Sequence, residues 1–529
     1  MKCTGIVLIY LAALVGGAYI AFKPTVDSGF ARTQTETGDG MLNHYLLEHS
    51  WRAVSDRGYC GTLLAPPFYY PTPWVYWYSE TLLGAAPVYW GLRLVMDYEL
   101  AYQWWQIVCT GLNFITFVAV ARWLNCSHLL AAFGGFLWAS ALAHTDQAMH
   151  QQLIPRYWMP LAVYHAWHLA TEPTLRSLNR TIAALFLQAV TCFYTGWFLA
   201  VGLAVFVPAV VVLLPGRWRV WLEFARANWK QAVLVVGGWG IAFAVFFAPY
   251  VIANYGRGRV YGECISTIPT LSGWLSGREG SRWHETIKPY RQPATHECYL
   301  FSGFGIDLLL IATLGYTLMA YRRPTRGRDL TLVAACLVTA VVWWLLTLRY
   351  TDEDSPWWLV RFLPGGQAIR CVSRVWVIVD LLGILAVVVW LNSVLSRIRR
   401  EWVRAAIVVA IACPVVYEQT GYEPPSFAKD EFYPRVEGYG DKIRGADVGY
   451  IIPRHERFAL YGDVMGMWAG LTANVPVVNG YSGRSPDDYE PSIDNVEEWL
   501  RKWLRGRAHG RVIVFDPDHP DHVLVLWLE

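Results

Sequence analysis

A chain of 529 residues that is 55% hydrophobic and only 16% charged departs from soluble domains, in which about a quarter of residues are charged. The net charge of +3 says little as a total; where the charges lie says more, and nucleic acid is not among the expected partners. The ten cysteines include no CxxC pair, so no zinc or redox framework is indicated.

The first apolar run, Gly5–Phe22, follows a single Lys2. It exceeds a typical signal-peptide core, and no small-x-small cleavage site closes it, so it reads as a retained span. Later runs such as Gln231–Ala253, Gly303–Tyr321, Leu330–Leu348 and Val372–Leu395 are each long enough to cross a bilayer core. The segment Ser79–Val95 is read as interfacial or re-entrant. Counting it as a span would put every later basic loop on the wrong side. The basic positions then alternate: Arg122; Arg176 and Arg180; Arg217, Arg219, Arg226 and Lys230; Arg322, Arg323, Arg326 and Arg328; Arg397, Arg399, Arg400 and Arg404. Short Lys/Arg-rich loops stay cytoplasmic, which gives about eleven spans.

The expected fold is thus an α-helical polytopic membrane protein. A transmembrane domain covers 1–418, with large outer loops at 23–99 and 254–302 and smaller ones at His144–Pro155 and Arg349–Cys371. Residues 419–529 lose the long apolar runs and read as a small extracytoplasmic α/β domain. Its strand-like runs are Val475–Val478, Arg511–Phe515 and His522–Leu528. The 28 Trp fit an aromatic belt at the membrane–water interface. A bacterial inner membrane is the expected location.

Candidate chemistry clusters in the outer loops. The first holds Asp39 between Gly38 and Gly40, followed by His44, Glu48, His49 and Arg52. Asp39 fits two readings: a helix N-cap, or a carboxylate at the membrane surface acting as general base, with the glycines letting substrate approach. The second loop carries His144, Asp146, His150 and Arg156. Asp146 and His150 at i, i+4 also suit a metal, but no third ligand follows, so a divalent cation is possible and no metal site is assigned. The loop before the penultimate span places Arg361, Arg370 and Arg374 outside, against the charge trend. Lipid headgroups or a lipid-linked phosphate would satisfy them. Asp352, Glu353 and Asp354 are expected to pair with these arginines. Asp380 lies within a span and needs a polar neighbour. The stretch Asp516–His522 reads as a turn between strands. Cys264 and Cys298 share the third outer loop, where a disulfide is permitted. No Walker A, HExxH, GxSxG or Rossmann fingerprint is present.

Four short stretches resemble a poorly characterised branch of the bacterial GT-C-type membrane glycosyltransferases. They are Gly38-Asp39 with Asn43 and Leu47-Glu48-His49; Tyr70–Pro73 with Tyr78-Ser-Glu and Leu83-Gly84; Leu363-Pro-Gly365 with Arg370 and Arg374; and Val478–Gly483 with Pro486 and Tyr489. The chain departs from that pattern at Met149-His-Gln-Gln152, which puts a role for Asp146 in doubt while His150 matches better. The resemblance implies a polyprenyl-phosphate sugar donor, an inverting displacement and an acid after span one as base, the position of Asp39. Glu48 and Asp146 are further catalytic candidates, and His44, His49, His150, Arg361, Arg370 and Arg374 are candidates for substrate binding. The implied partners are the donor, the bilayer, and an envelope glycan, lipid or protein acceptor. Two other readings stay open: a transporter or flippase of lipid-linked precursors, which would more often show inverted repeats, and a non-catalytic envelope assembly protein.

Overall fold

The computed structural model describes residues 3–145, 147, 149–288, 296–322, 327–351, 353–453, 459–521 and 523–528. Its helices of eight or more residues, in chain order, are α1 (Cys3–Ala21), α2 (Asp39–Ser55), α3 (Ala86–Arg93), α4 (Tyr98–Trp123), α5 (His128–Ser140), α6 (Trp158–Thr171), α7 (Leu175–Thr191), α8 (Phe193–Leu213), α9 (Arg217–Ala253), α10 (Phe304–Tyr321), α11 (Arg328–Leu346), α12 (Trp376–Leu395), α13 (Glu401–Glu418), α14 (Lys429–Ile443), α15 (Ala459–Ala473) and α16 (Val496–Leu504).

Among the described residues, seven helical segments are long and apolar enough to cross a membrane: Thr4–Ala21, Tyr98–Trp123, Phe193–Leu213, Arg217–Ala253, Phe304–Tyr321, Arg328–Leu346 and Val372–Leu395. The shorter helices α5, α6, α7 and α13 pack among them, with α5 meeting α1, α4, α12 and α13, and α8 meeting α6, α7 and α11. The surface of the bundle is apolar. On α9, which has no buried residue, Leu234 and Val245 are 75% and 71% exposed. Water would not leave such a face bare, so its solvent is lipid. Ser79–Val95 yields only the eight-residue α3 after a short 3-10 turn, well below the roughly 20 residues a spanning helix needs.

The chain after α13 forms a three-stranded sheet. β3 (Val448–Ile451) pairs in parallel with β4 (Gly510–Phe515), and β4 pairs antiparallel with β5 (Val523–Leu528). This region does not stand alone. β1 (Arg32–Thr33) in the first large loop pairs with β2 (Phe427–Ala428) just after α13. One apolar core mixes Met41, Tyr45, Phe68 and Tyr76 with Phe432, Trp468 and Val477. The run Val475–Val478 is not a strand. Pro476 lacks a donor, and the segment bridges two partners instead: Val477 N–H donates to Pro67 O and Val478 N–H to Gly449 O. Asp516 and His519 form the turn between β4 and β5, 3.1 Å apart; His522 lies outside the described residues. Cys264 and Cys298 are separate thiols, their sulfurs turned to Ile369 O and Ser266 O, so the permitted disulfide is not formed.

Candidate active site

Helix α2 begins at Asp39, but Asp39 does not cap it. Its backbone N–H donates to Glu36 Oε1 at 2.7 Å, and Glu36 Oε2 accepts from the Tyr461 hydroxyl at 3.0 Å. Glu36 therefore satisfies the first orphan donor of the helix, and no side chain caps it at Gly38. The neighbouring glycines serve packing rather than substrate approach. A Cβ at Gly40 would collide with the Thr35 side chain, and one at Gly38 would crowd Glu36 and Tyr461.

Relieved of capping, the Asp39 carboxylate meets two partners. Oδ1 accepts from the Tyr481 hydroxyl, and Oδ2 lies 3.2 Å from His150 Nδ1. The other nitrogen of that ring, Nε2, is 2.9 Å from Glu297 Oε1. Arg374 Nη2 stands 3.7 Å from the same oxygen, with its guanidinium 4.3 Å above the Tyr194 ring. His150, Glu297 and Arg374 are buried, whereas the Asp39 side chain is 30% exposed. The acid thus forms the open end of a buried charge chain. Each of its oxygens keeps a lone pair for a further donor.

Five separate segments build this chain. The loop carrying His150 is tied to α2 by Asn43 Nδ2, which donates to Gln152 Oε1 at 2.8 Å. Tyr481 is aimed by Gly480, whose backbone lies so close to the Tyr69 ring that a Cβ would enter it. The Tyr194 hydroxyl accepts from Arg370 N–H at 3.3 Å. The Arg370 side chain is exposed and, among the described residues, has no hydrogen bond or ion pair.

The charges support one another. Burial acts to raise the Asp39 carboxyl, but the hydrogen bond and charge of His150, with Tyr481 and Arg374, outweigh it and hold the acid below the usual aspartate range. For His150, burial favours the neutral ring and Arg374 opposes its charge. The Glu297 charge and the bonds to Asp39 and Glu297 prevail, raising the imidazole to about 9. Burial likewise works against ionised Glu297, and His150 and Arg374 carry it well below the glutamate range. At neutral pH the arrangement is carboxylate, imidazolium, carboxylate and guanidinium in sequence. As placed, His150 fills the space between the two carboxylates with one ring nitrogen against each. A divalent cation would have to displace it, and no cluster of three metal-ligating side chains occurs among the described residues.

The other sequence candidates lie elsewhere. Glu48 is buried midway along α2, 3.1 Å from Arg52 and 2.8 Å from Arg93, and accepts from the Tyr89 hydroxyl. His44 stacks on Tyr102 at 4.3 Å and bonds Tyr98 O and the Tyr433 hydroxyl. His49 bonds the Tyr59 hydroxyl at 3.0 Å. His44 holds the first loop against the tail, while Glu48 and His49 hold that loop to itself and to α3. Arg361 donates to Arg259 O at 3.1 Å. Asp146 and Asp352 lie outside the described residues. Asp354 accepts from Thr351, and among the described residues neither it nor Glu353 pairs with an arginine. Asp380 accepts from Ser302 at 3.4 Å.

Sequence reading missed Glu297, Tyr481 and Tyr194. Tyr481 stands in the quoted Val478–Gly483 stretch without a role. Glu297 sits in a long loop with no spacing relation to any partner.

No family model matches the chain, and no curated protein matches it. Solved structures that align with it include two membrane proteins. The Archaeoglobus fulgidus oligosaccharyltransferase in the apo form is 13% identical with a TM-score of 0.49, covering 95% of this chain and 69% of that one. ArnT from Cupriavidus metallidurans in the apo state is 12% identical with a TM-score of 0.40, covering 98% and 94%. Likeness at this level assigns no residue a role.

Proposed function

We propose that the protein is a membrane glycosyltransferase that moves a sugar from a polyprenyl-phosphate donor to an acceptor hydroxyl on the outer side of the membrane, with inversion. The single observation that carries this reading is the partly open Asp39 carboxylate at the end of the His150–Glu297–Arg374 chain. It lies in the first loop after α1, where a lipid-linked donor presents its sugar. Asp39 accepts the acceptor hydroxyl proton as the new C–O bond forms at the anomeric carbon. The bond from that carbon to the phosphate oxygen breaks, and its electron pair leaves with the phosphate. Arg370, whose guanidinium has no hydrogen bond or ion pair among the described residues, and Arg374 meet the charge that grows there. Tyr481 and His150 fix the carboxylate's orientation. The proton on Asp39 then passes to water.

Sugar transfer from a polyprenyl-phosphate donor by purified Asp39→Asn in nanodiscs tests the reading, with a thermal-shift check on folding. Loss of a general base typically costs about 10²–10⁴-fold in rate. A folded variant with near-normal transfer removes Asp39 from the mechanism. Wild-type protein that moves intact lipid-linked sugar across the bilayer without transferring it supports the transporter reading instead.

A further inference from the structure

Beside the candidate active site, four arginines from three distant segments crowd together on the face expected to be poor in basic residues. They are Arg257 and Arg259 after α9, Arg361 in the loop before α12, and Arg484 in the tail. They are held together by their own backbones. Arg361 Nη2 donates to Arg259 O at 3.1 Å, Arg484 Nη2 donates to Arg257 O, and Arg259 Nη2 donates to Gly483 O at 2.7 Å. Bonds to neutral carbonyls leave the charges uncancelled. Among the described residues two carboxylates answer them, both at the rim: Asp487 on Arg257, with its side chain 76% exposed, and Glu263 on Arg259, 42% exposed. Two further donors, Arg257 Nη1 and Arg361 Nε, are buried without a partner among the described residues. Burial together with the charges of Arg259 and Arg257 outweighs Glu263 and Asp487 and pushes the Arg484 guanidinium below its usual range.

Leaving buried charged donors unpaired is costly, and a doubly charged oxyanion with several acceptor oxygens removes that cost at one stroke. We infer that the Arg257–Arg259–Arg361–Arg484 cluster is a second anion site, separate from Arg370 and Arg374, that takes a phosphate group of a substrate. The tail loop joins the two places. Tyr481 reaches Asp39, and two residues on Gly483 is gripped by Arg259. Resting on the transferase reading, the group comes either from a donor that carries a diphosphate or from a phosphorylated acceptor.

Binding of inorganic phosphate to the full-length protein in nanodiscs, read calorimetrically without turnover, tests the site. Arg484→Gln is expected to weaken phosphate about tenfold, the loss of one charge-assisted hydrogen bond. Asp487→Asn, an exposed change that only removes a competing carboxylate, is expected to tighten it several-fold. A merely structural cluster predicts no tightening. Unchanged affinity in both variants overturns the inference, as does weakening in Arg370→Gln with Asp487→Asn unaffected. Polyprenyl monophosphate, polyprenyl diphosphate and a soluble sugar phosphate then separate the sources. A preference for the diphosphate lipid that disappears in Arg484→Gln assigns the group to the donor. Equal binding of the two lipids, with sugar-phosphate affinity falling in Arg484→Gln, assigns it to the acceptor. If neither dependence is seen, the site is refuted. Because binding is read alone, phosphate held here by a protein that transfers no sugar sinks the transferase reading and leaves the anion site standing.

Discussion

His150 has one carboxylate on each ring nitrogen, and that placement makes its charge the pivot of the site. With the imidazole raised from 6.5 to about 9, its contribution to stability is complete below pH 6.5 and is lost as pH rises through about 9. Asp39 shifts the other way, so its carboxylate stays ionised well into acid. Transfer that needs ionised Asp39 oriented by an imidazolium should therefore hold at neutral pH and fall as pH climbs through about 9. Glu297→Gln removes the largest charge that raises His150, so the alkaline limb of kcat/KM should move toward 6.5. A pH–rate profile of the two proteins checks this. A lower plateau with an unmoved alkaline limb shows that Glu297 serves only the fold. Asp39 and His150 were legible in the sequence because each sits in a polar patch next to a span. Glu297 was not, because its partners come from loops far away in the chain. The N-cap reading of Asp39 failed because Glu36, three residues earlier, takes the helix donor.

At the scale of elements, the loop Val478–Gly483 decides how the tail meets the membrane part. Asn479 Nδ2 donates to Ile451 O, and its Oδ1 accepts from Ile451 N–H, both at 2.8 Å, which fixes the loop to the end of β3. Tyr69 N–H donates to Asn479 O at 3.0 Å, and Gly480 then lies flat on the Tyr69 ring. Gly480→Ala must lift the loop, an overpacking that typically costs about 1–3 kcal/mol. It should also withdraw the Tyr481 hydroxyl from Asp39. Gly480→Ala and Tyr481→Phe are expected to reduce transfer alike, by roughly 10–100-fold, the worth of a hydrogen bond to a charged group. Wild-type transfer by Gly480→Ala would show that the loop does not aim Tyr481. Elements with a clean period were legible: the apolar helices, and the strands at β4 and β5. The bridging run Val475–Val478 was not, because Pro476 makes it a connector with one partner on each side.

For the whole molecule, the contacts constrain which loops share a face. Asp39 follows α1, His150 follows α5, Glu297 precedes α10, Arg374 precedes α12 and Tyr481 lies in the tail, yet all five meet. Glu80, between α2 and α3, joins the same side, since it accepts from Phe193 N–H at 2.8 Å and Tyr194 N–H at 3.2 Å at the start of α8. The basic turns gather at the opposite ends of the helices. Arg328 lies 3.2 Å from Glu172, and Ser127 N–H donates to Asn392 Oδ1 at 2.9 Å. An even number of crossings must separate any two loops on one face, so where α4 and α5 both cross between Asp39 and His150, the eight-residue α3 does not. By the trend that keeps basic loops inside, the arginine-rich face is the one we propose to meet the cytoplasm. A topology reporter inserted after Trp123 should read cytoplasmic, and one inserted at Glu423 should read on the outer side. Equal readings at the two positions contradict the parity that the contacts impose. Readings exchanged between them leave the fold intact but turn the site toward the cytoplasm, where an acceptor on the outer side is out of reach.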